Sequence, residues 1–368
     1  MSDALVRTTG RIAITRDGTP FELESGRSLA SVQIVYETYG RLSAARDNVV
    51  LVCHALTGSS HAAGTSPTGA RGWWDGLIGP GRGIDTDRWF VICANVLGGC
   101  YGSTGPTSLD PATGRPYGEA FPTITIRDIV RSQRLLLAEL GIERVRAAIG
   151  GSMGGMQVLE WAASHPDAID RIIPIAVSAR QSAWCVGFNA IAREALELGR
   201  AAGDPAAGLR LARKVGMISY RSAAEFDARF GRSRSHEGLD PVEGSFDVEH
   251  YLERHGRKLV DRFDPATYRT LSLAMDLYDL AANRGAIDDV LASIEQSALC
   301  IGIDSDVRYP TSEQRSLARR LPRGIYHEIA SQCGHDAFLI EHEQLAAIVG
   351  PFLEVDITTT INADGIEA

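Results

Sequence analysis

Apolar and polar positions follow two rhythms along the chain. Between residues 11 and 40 short strand-like runs, Ile12-Ala-Ile14 and Val32-Gln-Ile-Val-Tyr36, are punctuated by Gly18 and Gly26. They predict an antiparallel lead-in to a sheet. The runs then become continuously apolar. Asn48-Val-Val-Leu-Val-Cys53 and Trp89-Phe-Val-Ile-Cys93 carry no polar face, which predicts parallel strands buried on both sides. From Thr125 to Leu140 apolar residues recur at helical spacing, Ile126, Ile129, Val130 and Leu136 among them. A β-type run from Val145 to Ile149, a helical pattern from Met156 to Ala163 and an apolar run from Ile172 to Val177 follow. Strand and helix thus alternate from 48 to 177, and the prediction is α/β: a doubly wound, mostly parallel sheet.

The texture then changes. From about Ser182 to Asp289 the pattern is helical and polar, with helices expected over 190–202, 206–220, 248–263 and 265–278. Buried-strand runs return with Ala298-Leu-Cys-Ile-Gly-Ile303 and Gly324-Ile-Tyr-His-Glu-Ile329. This organisation predicts a sheet-bearing core at 1–180 and 295–368 and a helical lid inserted at 181–294. The Gly-, Pro-, Ser- and Thr-rich stretch from Cys100 to about Pro122 is long for a connection, so it is expected to be functional or mobile. The mixed-charge segment Gly231 to Ser245 reads as a loop and the tail from Ile357 as frayed.

Composition narrows the class. The chain has 368 residues, 44% apolar and 23% charged, with a net charge of −9. These values describe a globular protein able to bury a large core without staples. The acidic balance disfavours nucleic acid or an anionic membrane as partner. It leaves room for an anionic small molecule in a local basic pocket. No apolar run approaches a membrane-spanning length, and Met1-Ser-Asp-Ala shows no signal pattern. Six cysteines, none in a C-x-x-C pair, read as free thiols in a reducing, cytoplasmic compartment. No metal-ligand spacing, dinucleotide fingerprint or P-loop is present, so no metal or bound cofactor is expected.

The chemistry gathers at Gly150-Gly-Ser152-Met-Gly154, set between an apolar strand and a helix. Gly-x-Ser-x-Gly in that setting is the nucleophile elbow of the α/β-hydrolase fold. The tight turn needs small neighbours and leaves the hydroxyl exposed at the top of the sheet. The N–H of Met153, at the helix start, can face an oxyanion. A second donor is expected from the loop after the 48–53 strand, with Leu56 chosen and Ala55 as its near neighbour. The fold orders its partners Ser, then Asp or Glu, then His. Asp304 and Asp306 both follow the 298–303 strand, and Asp306, deeper in the loop, is preferred. His335, after Gly334, is the expected base, on a loop that suits a mobile imidazole. His54 is expected to hydrogen-bond structurally, and His236, His250 and His255 to be solvated.

With these residues in place, the chain resembles the homoserine O-acyltransferases of methionine biosynthesis, within the α/β-hydrolase fold. The matching stretches are Cys53-His-Ala-Leu-Thr-Gly58, Gly72-Trp-Trp-Asp75, Asn95-Val-Leu-Gly-Gly-Cys100, Gly102-Ser-Thr-Gly-Pro106, Gly150 to Gln157, Ser219-Tyr-Arg221, Asp304-Ser-Asp306 and Gly334-His-Asp-Ala-Phe338. The resemblance implies ping-pong transfer from acyl-CoA, a co-substrate, through acyl-Ser152 to the hydroxyl of L-homoserine. A transferase must keep water from the acyl-enzyme, and a lid is one physical way, with the helical insertion and the Cys100–Pro122 stretch as its candidates. The resemblance implies that Arg221 and Asp336 hold the amino acid's carboxylate and ammonium, although by themselves they read as a solvated lid residue and a helix N-cap. It also implies a homodimer joined through the lid helices. Acetyl is the commoner donor in the family and is expected here. Arg308 departs from the leucine usual in acetyl enzymes and resembles an arginine of succinyl-using relatives, while Val307 and Tyr309-Pro310 do not follow that neighbourhood. Its alternative is a solvent-facing side chain. The competing functions are a serine O-acyltransferase, an esterase-type hydrolase and a non-catalytic binding protein.

Overall fold

The structure is a computed structural model that describes residues 5–16, 18–234 and 245–355. Eight strands form one sheet: β1 (Arg7–Ala13), β2 (Gln33–Tyr39), β3 (Val49–Cys53), β4 (Phe90–Ala94), β5 (Ala147–Gly151), β6 (Arg171–Ile175), β7 (Ser297–Ile303) and β8 (Gly324–Ile329). Their spatial order is β1-β2-β4-β3-β5-β6-β7-β8. β2 pairs antiparallel with both β1 and β4, and the remaining neighbours are parallel. This is the mostly parallel, doubly wound sheet that the apolar runs predict.

Residues of the central strands are buried whichever way they point. In β3, Val49, Leu51 and Cys53 enter one core cluster, while Val50 and Val52 enter the other. Helix α1 (Ile126–Glu139) covers the first face with Ile126, Ile129, Val130 and Leu136, beside α2 (Met153–Ser164). The C-terminal helix of the described residues packs Leu345, Val349 and Phe352 into the second cluster. Thr125 caps α1: its hydroxyl accepts from the Asp128 N–H while Asp128 returns a bond to the Thr125 N–H.

Between β6 and β7 the chain leaves the sheet as α3 (Ala183–Ala201), α4 (Pro205–Tyr220), α5 (Ala223–Arg229), α6 (Asp247–Val260) and α7 (Pro265–Asp276). The two ends of this segment are zipped together. Gln181 N–H donates to Tyr278 O at 3.0 Å and Leu280 N–H to Ala179 O at 3.0 Å, with Arg180 paired to Asp279 at 2.7 Å. The helical insertion therefore leaves and re-enters through one narrow neck. Helix α5 has no counterpart in the sequence reading, because seven residues are too few for a periodic signal. It is set by its cap, Ser222, whose hydroxyl accepts from the Glu225 N–H at 3.0 Å. Residues 235–244 and the tail from 357 lie outside the described residues.

The stretch from Cys100 to Pro122 was expected to be a candidate cover for the serine. Its first part is instead pinned along β2. Thr104 Oγ1 accepts from the Gln33 N–H at 2.9 Å and Ser103 Oγ from the Val35 N–H at 2.9 Å. Gly, Ser and Thr serve there as hydrogen-bonding partners for a strand. Four cysteines are buried and all six are free thiols. Among the described residues no helix is long and apolar enough to cross a membrane.

One ion cluster joins three segments. Glu160 of α2, 2% exposed, accepts from Arg284 after α7, at 2.5 Å and 2.9 Å, and from Arg127 of α1 at 3.0 Å. Burial pushes its carboxyl up, but Arg284 and its neighbours outweigh this and hold it below the usual range. A carboxyl depressed in the folded state adds stability above its unfolded pKa, and that contribution is lost as pH falls through the folded value. Glu160→Gln should therefore cost about 3 kcal/mol at pH 7, as expected when a buried pair loses one partner. The difference from wild type should narrow below about pH 4. Urea unfolding of both proteins at two pH values checks this.

Candidate active site

The chain turns from β5 into α2 at Ser152, whose backbone lies at φ 56° and ψ −124°. A non-glycine residue pays strain there, and the surroundings must hold it. Three contacts do so. The Ser152 N–H donates to Ile175 O at 3.0 Å. The Gln157 amide donates to Met153 O at 3.0 Å and to His54 O at 3.1 Å. A Cβ on Gly154 would collide with the Cys53 carbonyl oxygen, and one on Gly150 would stand 2.6 Å from it. Glycine at both positions lets the elbow close on the end of β3.

Asp306 and His335 meet beside it. The His335 Nδ1 lies 2.7 Å from Asp306 Oδ2. A carboxylate only accepts, so Nδ1 carries the hydrogen and Nε2 is left with its lone pair. That Nε2 is buried and has no hydrogen-bond partner among the described residues. The other Asp306 oxygen accepts from the Arg308 and Tyr309 N–H groups at 2.8 and 3.1 Å. Asp304, the competing acid, is exposed and accepts from the Ser331 N–H at 3.0 Å. His335 does not sit on a mobile loop. It lies in a 3-10 turn, Gly334–Leu339, only 3% exposed, with the rings of Tyr309 and Phe338 at 5.2 and 5.6 Å. Gly334, at φ 65°, makes that tight turn possible.

The loop after β3 is fixed by His54. Its Nε2 accepts from the Val96 N–H at 3.1 Å, so its Nδ1 donates to Ala55 O at 2.8 Å. Burial pushes this imidazole down to about 4, so it stays neutral and structural. Leu56 follows, and its N–H donates to no acceptor among the described residues. Met153 opens α2, so its N–H has no acceptor in a preceding helical turn. These two N–H groups are the ones available to a developing oxyanion.

Ser152, Leu56, His335 and Asp336 line one cavity, with Arg213 and Tyr220 of α4, Met275 of α7 and Arg308. No residue from 100 to 122 lines it. Sheet loops and inserted helices thus close on the same space. Arg221 is not in the wall. It donates to Glu225 at 3.1 Å, and its Nε lies 3.3 Å from Asp336 Oδ2. Arg308 does not face solvent: it is 2% exposed. Its guanidinium donates to Ser219 Oγ at 2.8 Å and Asn189 Oδ1 at 3.0 Å, and lies over the rings of Phe188 and Tyr220. It pairs with no carboxylate among the described residues.

A serine at a strained elbow, a histidine held through Nδ1 by a buried carboxylate, and two N–H groups without an acceptor are the parts that acyl transfer through a serine requires. Residues 48–341 match the family model of the alpha/beta hydrolase fold. A homoserine O-acetyltransferase of Moorella thermoacetica is 49% identical over 351 residues, covering 90% of this chain and 93% of the relative. The chain belongs to the homoserine O-acetyltransferase family. Among solved structures, a homoserine O-acetyltransferase from Bacillus anthracis superposes with a TM-score of 0.87 at 28% identity, covering 96% of this chain and 99% of that one. Esterase E22 superposes with a TM-score of 0.84 at 28% identity, covering 95% and 100%.

Within this family framework, sequence reasoning missed Arg213 and Tyr220 as members of the wall. Both sit on a polar amphipathic helix, where nothing in the pattern separates a cavity-facing arginine from a solvated one. The lid histidines were expected to be solvated. His255 is instead half-buried, its ring 4.4 Å from that of Tyr251, and it is held down to about 4 by burial and by Arg213, Lys258, Arg221 and Arg254. His236 lies outside the described residues.

The geometry separates the two aspartates sharply. Asp306→Asn should misplace the Nδ1 hydrogen and lower kcat by about 10³–10⁴-fold. Asp304→Asn should leave it within about twofold, because an exposed carboxylate that serves one loop N–H takes no part in the proton path. Steady-state rates of the two variants check this.

Proposed function

We propose that this chain is a homoserine O-acetyltransferase, moving the acetyl group of acetyl-CoA to the hydroxyl of L-homoserine. The observation that carries the reading is the shared cavity. Ser152, the free side of His335 and the carboxylate of Asp336 face it together, in a chain 49% identical to an acetyltransferase.

The steps follow from the groups in place. His335 Nε2 takes the Ser152 proton as Oγ bonds to the thioester carbonyl carbon. The N–H groups of Leu56 and Met153 hold the oxyanion. Collapse breaks the C–S bond, and the imidazolium returns its proton to the CoA thiolate. Homoserine then enters. Its hydroxyl gives a proton to His335 and bonds to the acyl carbon, and the C–O bond to Ser152 breaks with reprotonation of Oγ. Asp306 keeps the ring in the tautomer that both halves need. The amino-acid end requires one cation and one anion. Asp336 would take the ammonium and Arg221, already its ion-pair partner, the carboxylate, so that charges alternate along the row. This chemistry calls for no bound cofactor, and acyl-CoA is a substrate. A cytoplasmic location, where acyl-CoA and free thiols coexist, fits this reading.

A second reading has its own observation. Arg308 is a buried guanidinium in the cavity wall with no carboxylate partner among the described residues. A succinyl donor would bring one, by a charge-assisted pair. Release of CoA measured with acetyl-CoA or succinyl-CoA, each with homoserine, serine or no acceptor, decides. Homoserine-dependent release with acetyl-CoA is expected. Preference for succinyl-CoA that is lost in Arg308→Leu would transfer the assignment to the second reading. Acceptor-independent release would make the protein a hydrolase, as in the similarly folded esterase.

We also propose that two copies join through the inserted helices. Trp184, Ile191 and Leu198 recur every seven residues along α3 and are 55–62% exposed, beside Leu211 and Ile218 of α4 at 47% and 54%. An apolar stripe of this kind is a common mark of a protein interface. Sedimentation should show a dimer, and Ile191→Asp with Leu198→Asp should yield a monomer.

A further inference from the structure

Two amides are buried where α1 packs on α2. Gln133 is 1% exposed and Gln157 0%, and the Trp161 indole beside them is also shut from water. Burying an amide is costly unless its hydrogen-bonding groups are used. Apolar side chains of the same size would join the two helices without that cost. Packing alone therefore does not explain two amides there.

The hydrogen bonds run in one direction. Trp161 Nε1 donates to Gln133 Oε1 at 2.7 Å, and Gln133 Nε2 donates to Gln157 Oε1 at 2.7 Å. Gln157 Nε2 then donates to Met153 O at 3.0 Å and to His54 O at 3.1 Å. Both ends are fixed by chemistry. An indole N–H only donates and a backbone carbonyl only accepts, so neither amide can turn over without losing its bonds. Each bond in such a chain polarises the next in the same sense. The last nitrogen uses both hydrogens, on two carbonyls from different segments.

Those two segments carry the N–H groups that face the oxyanion. Met153 supplies one itself. Leu56 supplies the other, from the peptide whose carbonyl oxygen is Ala55 O. The His54 ring continues the clamp there. Its Nδ1–H donates to Ala55 O at 2.8 Å, and the Gly58 N–H reaches the same oxygen at 2.9 Å. A trans peptide points its N–H away from its carbonyl, so holding the oxygen aims the Leu56 N–H.

We infer that Gln157, aligned by Gln133 and Trp161, is a positioning residue that sets the separation and direction of the Met153 and Leu56 N–H groups, given the oxyanion role of those two groups in the mechanism above. None of the three side chains lines the cavity, so they act on the reacting carbonyl only through the backbone. Donors preset in this way need no reorganisation when charge develops.

The carbonyl of acetyl-Ser152 reports on this directly. The full chain is acetylated with carbonyl-labelled 4-nitrophenyl acetate, and the ester band is recorded by rapid-mix difference infrared spectroscopy. Hydrogen bonds to the ester oxygen lower its stretching frequency. The wild-type band should therefore lie below that of the same acetyl-enzyme unfolded in urea. Gln157→Met keeps the length and removes the amide. It should move the band toward the unfolded value and lower the saturating acetylation rate about tenfold, less than the loss of a donor itself would cause. The concentration of 4-nitrophenyl acetate at half-saturation should not change. Gln133→Met and Trp161→Phe leave Gln157 in place and should shift the band by successively less; they carry the test if Gln157→Met does not fold. A network that only joins two helices would lower the unfolding midpoint of the variants and leave the band at its wild-type position. That result, with the wild-type band itself lowered, overturns the clamp alone. A wild-type band at the unfolded value, or no acetyl group on Ser152, overturns the oxyanion assignment and the clamp with it.

Discussion

The structure depends on how closely the turn at Ser152 approaches the end of β3. Gly154 and Gly150 bring the elbow against the Cys53 carbonyl, at a separation that no side chain would permit. That approach sets the rest of the site. It holds Ser152 in a strained backbone conformation, which costs about 1–3 kcal/mol. It places the first turn of α2 beside the loop that follows β3, so that the Met153 and Leu56 N–H groups come from neighbouring segments. Gln157, one turn into α2, binds the His54 carbonyl and fixes the same junction from behind. Ser152 and the N–H groups of Met153 and Leu56 therefore belong to one unit, built from two parallel strands and the helix between the sheet and solvent.

The acid and base arrive from the other half of the sheet. Asp306 follows β7 and His335 follows β8; both are buried, and His335 packs against the rings of Tyr309 and Phe338. Neither their approach nor that of the inserted helices is local in sequence. The neck at residues 179–181 and 278–280 joins the two ends of the insertion, and Arg284, four residues beyond it, is tied together with Arg127 of α1 to Glu160 of α2. The wall contributed by α4 is also held against the sheet loops, through Ser219 to Arg308 and Arg221 to Asp336.

Charge is partitioned with similar economy. The guanidiniums near the cavity fall into three states. Arg221 is matched by carboxylates. Arg308 is satisfied only by neutral oxygens and ring faces. Arg213 has a ring face and, among the described residues, no carboxylate. A buried cation without a counter-charge is costly, so Arg308, 2% exposed, depends on those neutral oxygens and ring faces.

The sequence by itself determined the elements whose signal is short-range. Continuous apolar runs marked the buried strands, because both faces of a parallel sheet must be covered. Gly150, Ser152 and Gly154 marked the elbow, because only small residues tolerate that turn. The order Ser152, Asp306, His335 then followed from the fold. Tertiary structure alone decided between Asp304 and Asp306, which differ in burial and not in type. It moved His335 from a loop to an aromatic-packed turn, buried Arg308, withdrew Arg221 from the wall and brought Arg213 into it. All of these are arginines, acids and histidines on polar segments, where a solvated side chain and a cavity-facing one look the same in sequence. The difference is made by which other element packs against them, a long-range fact that periodicity cannot carry.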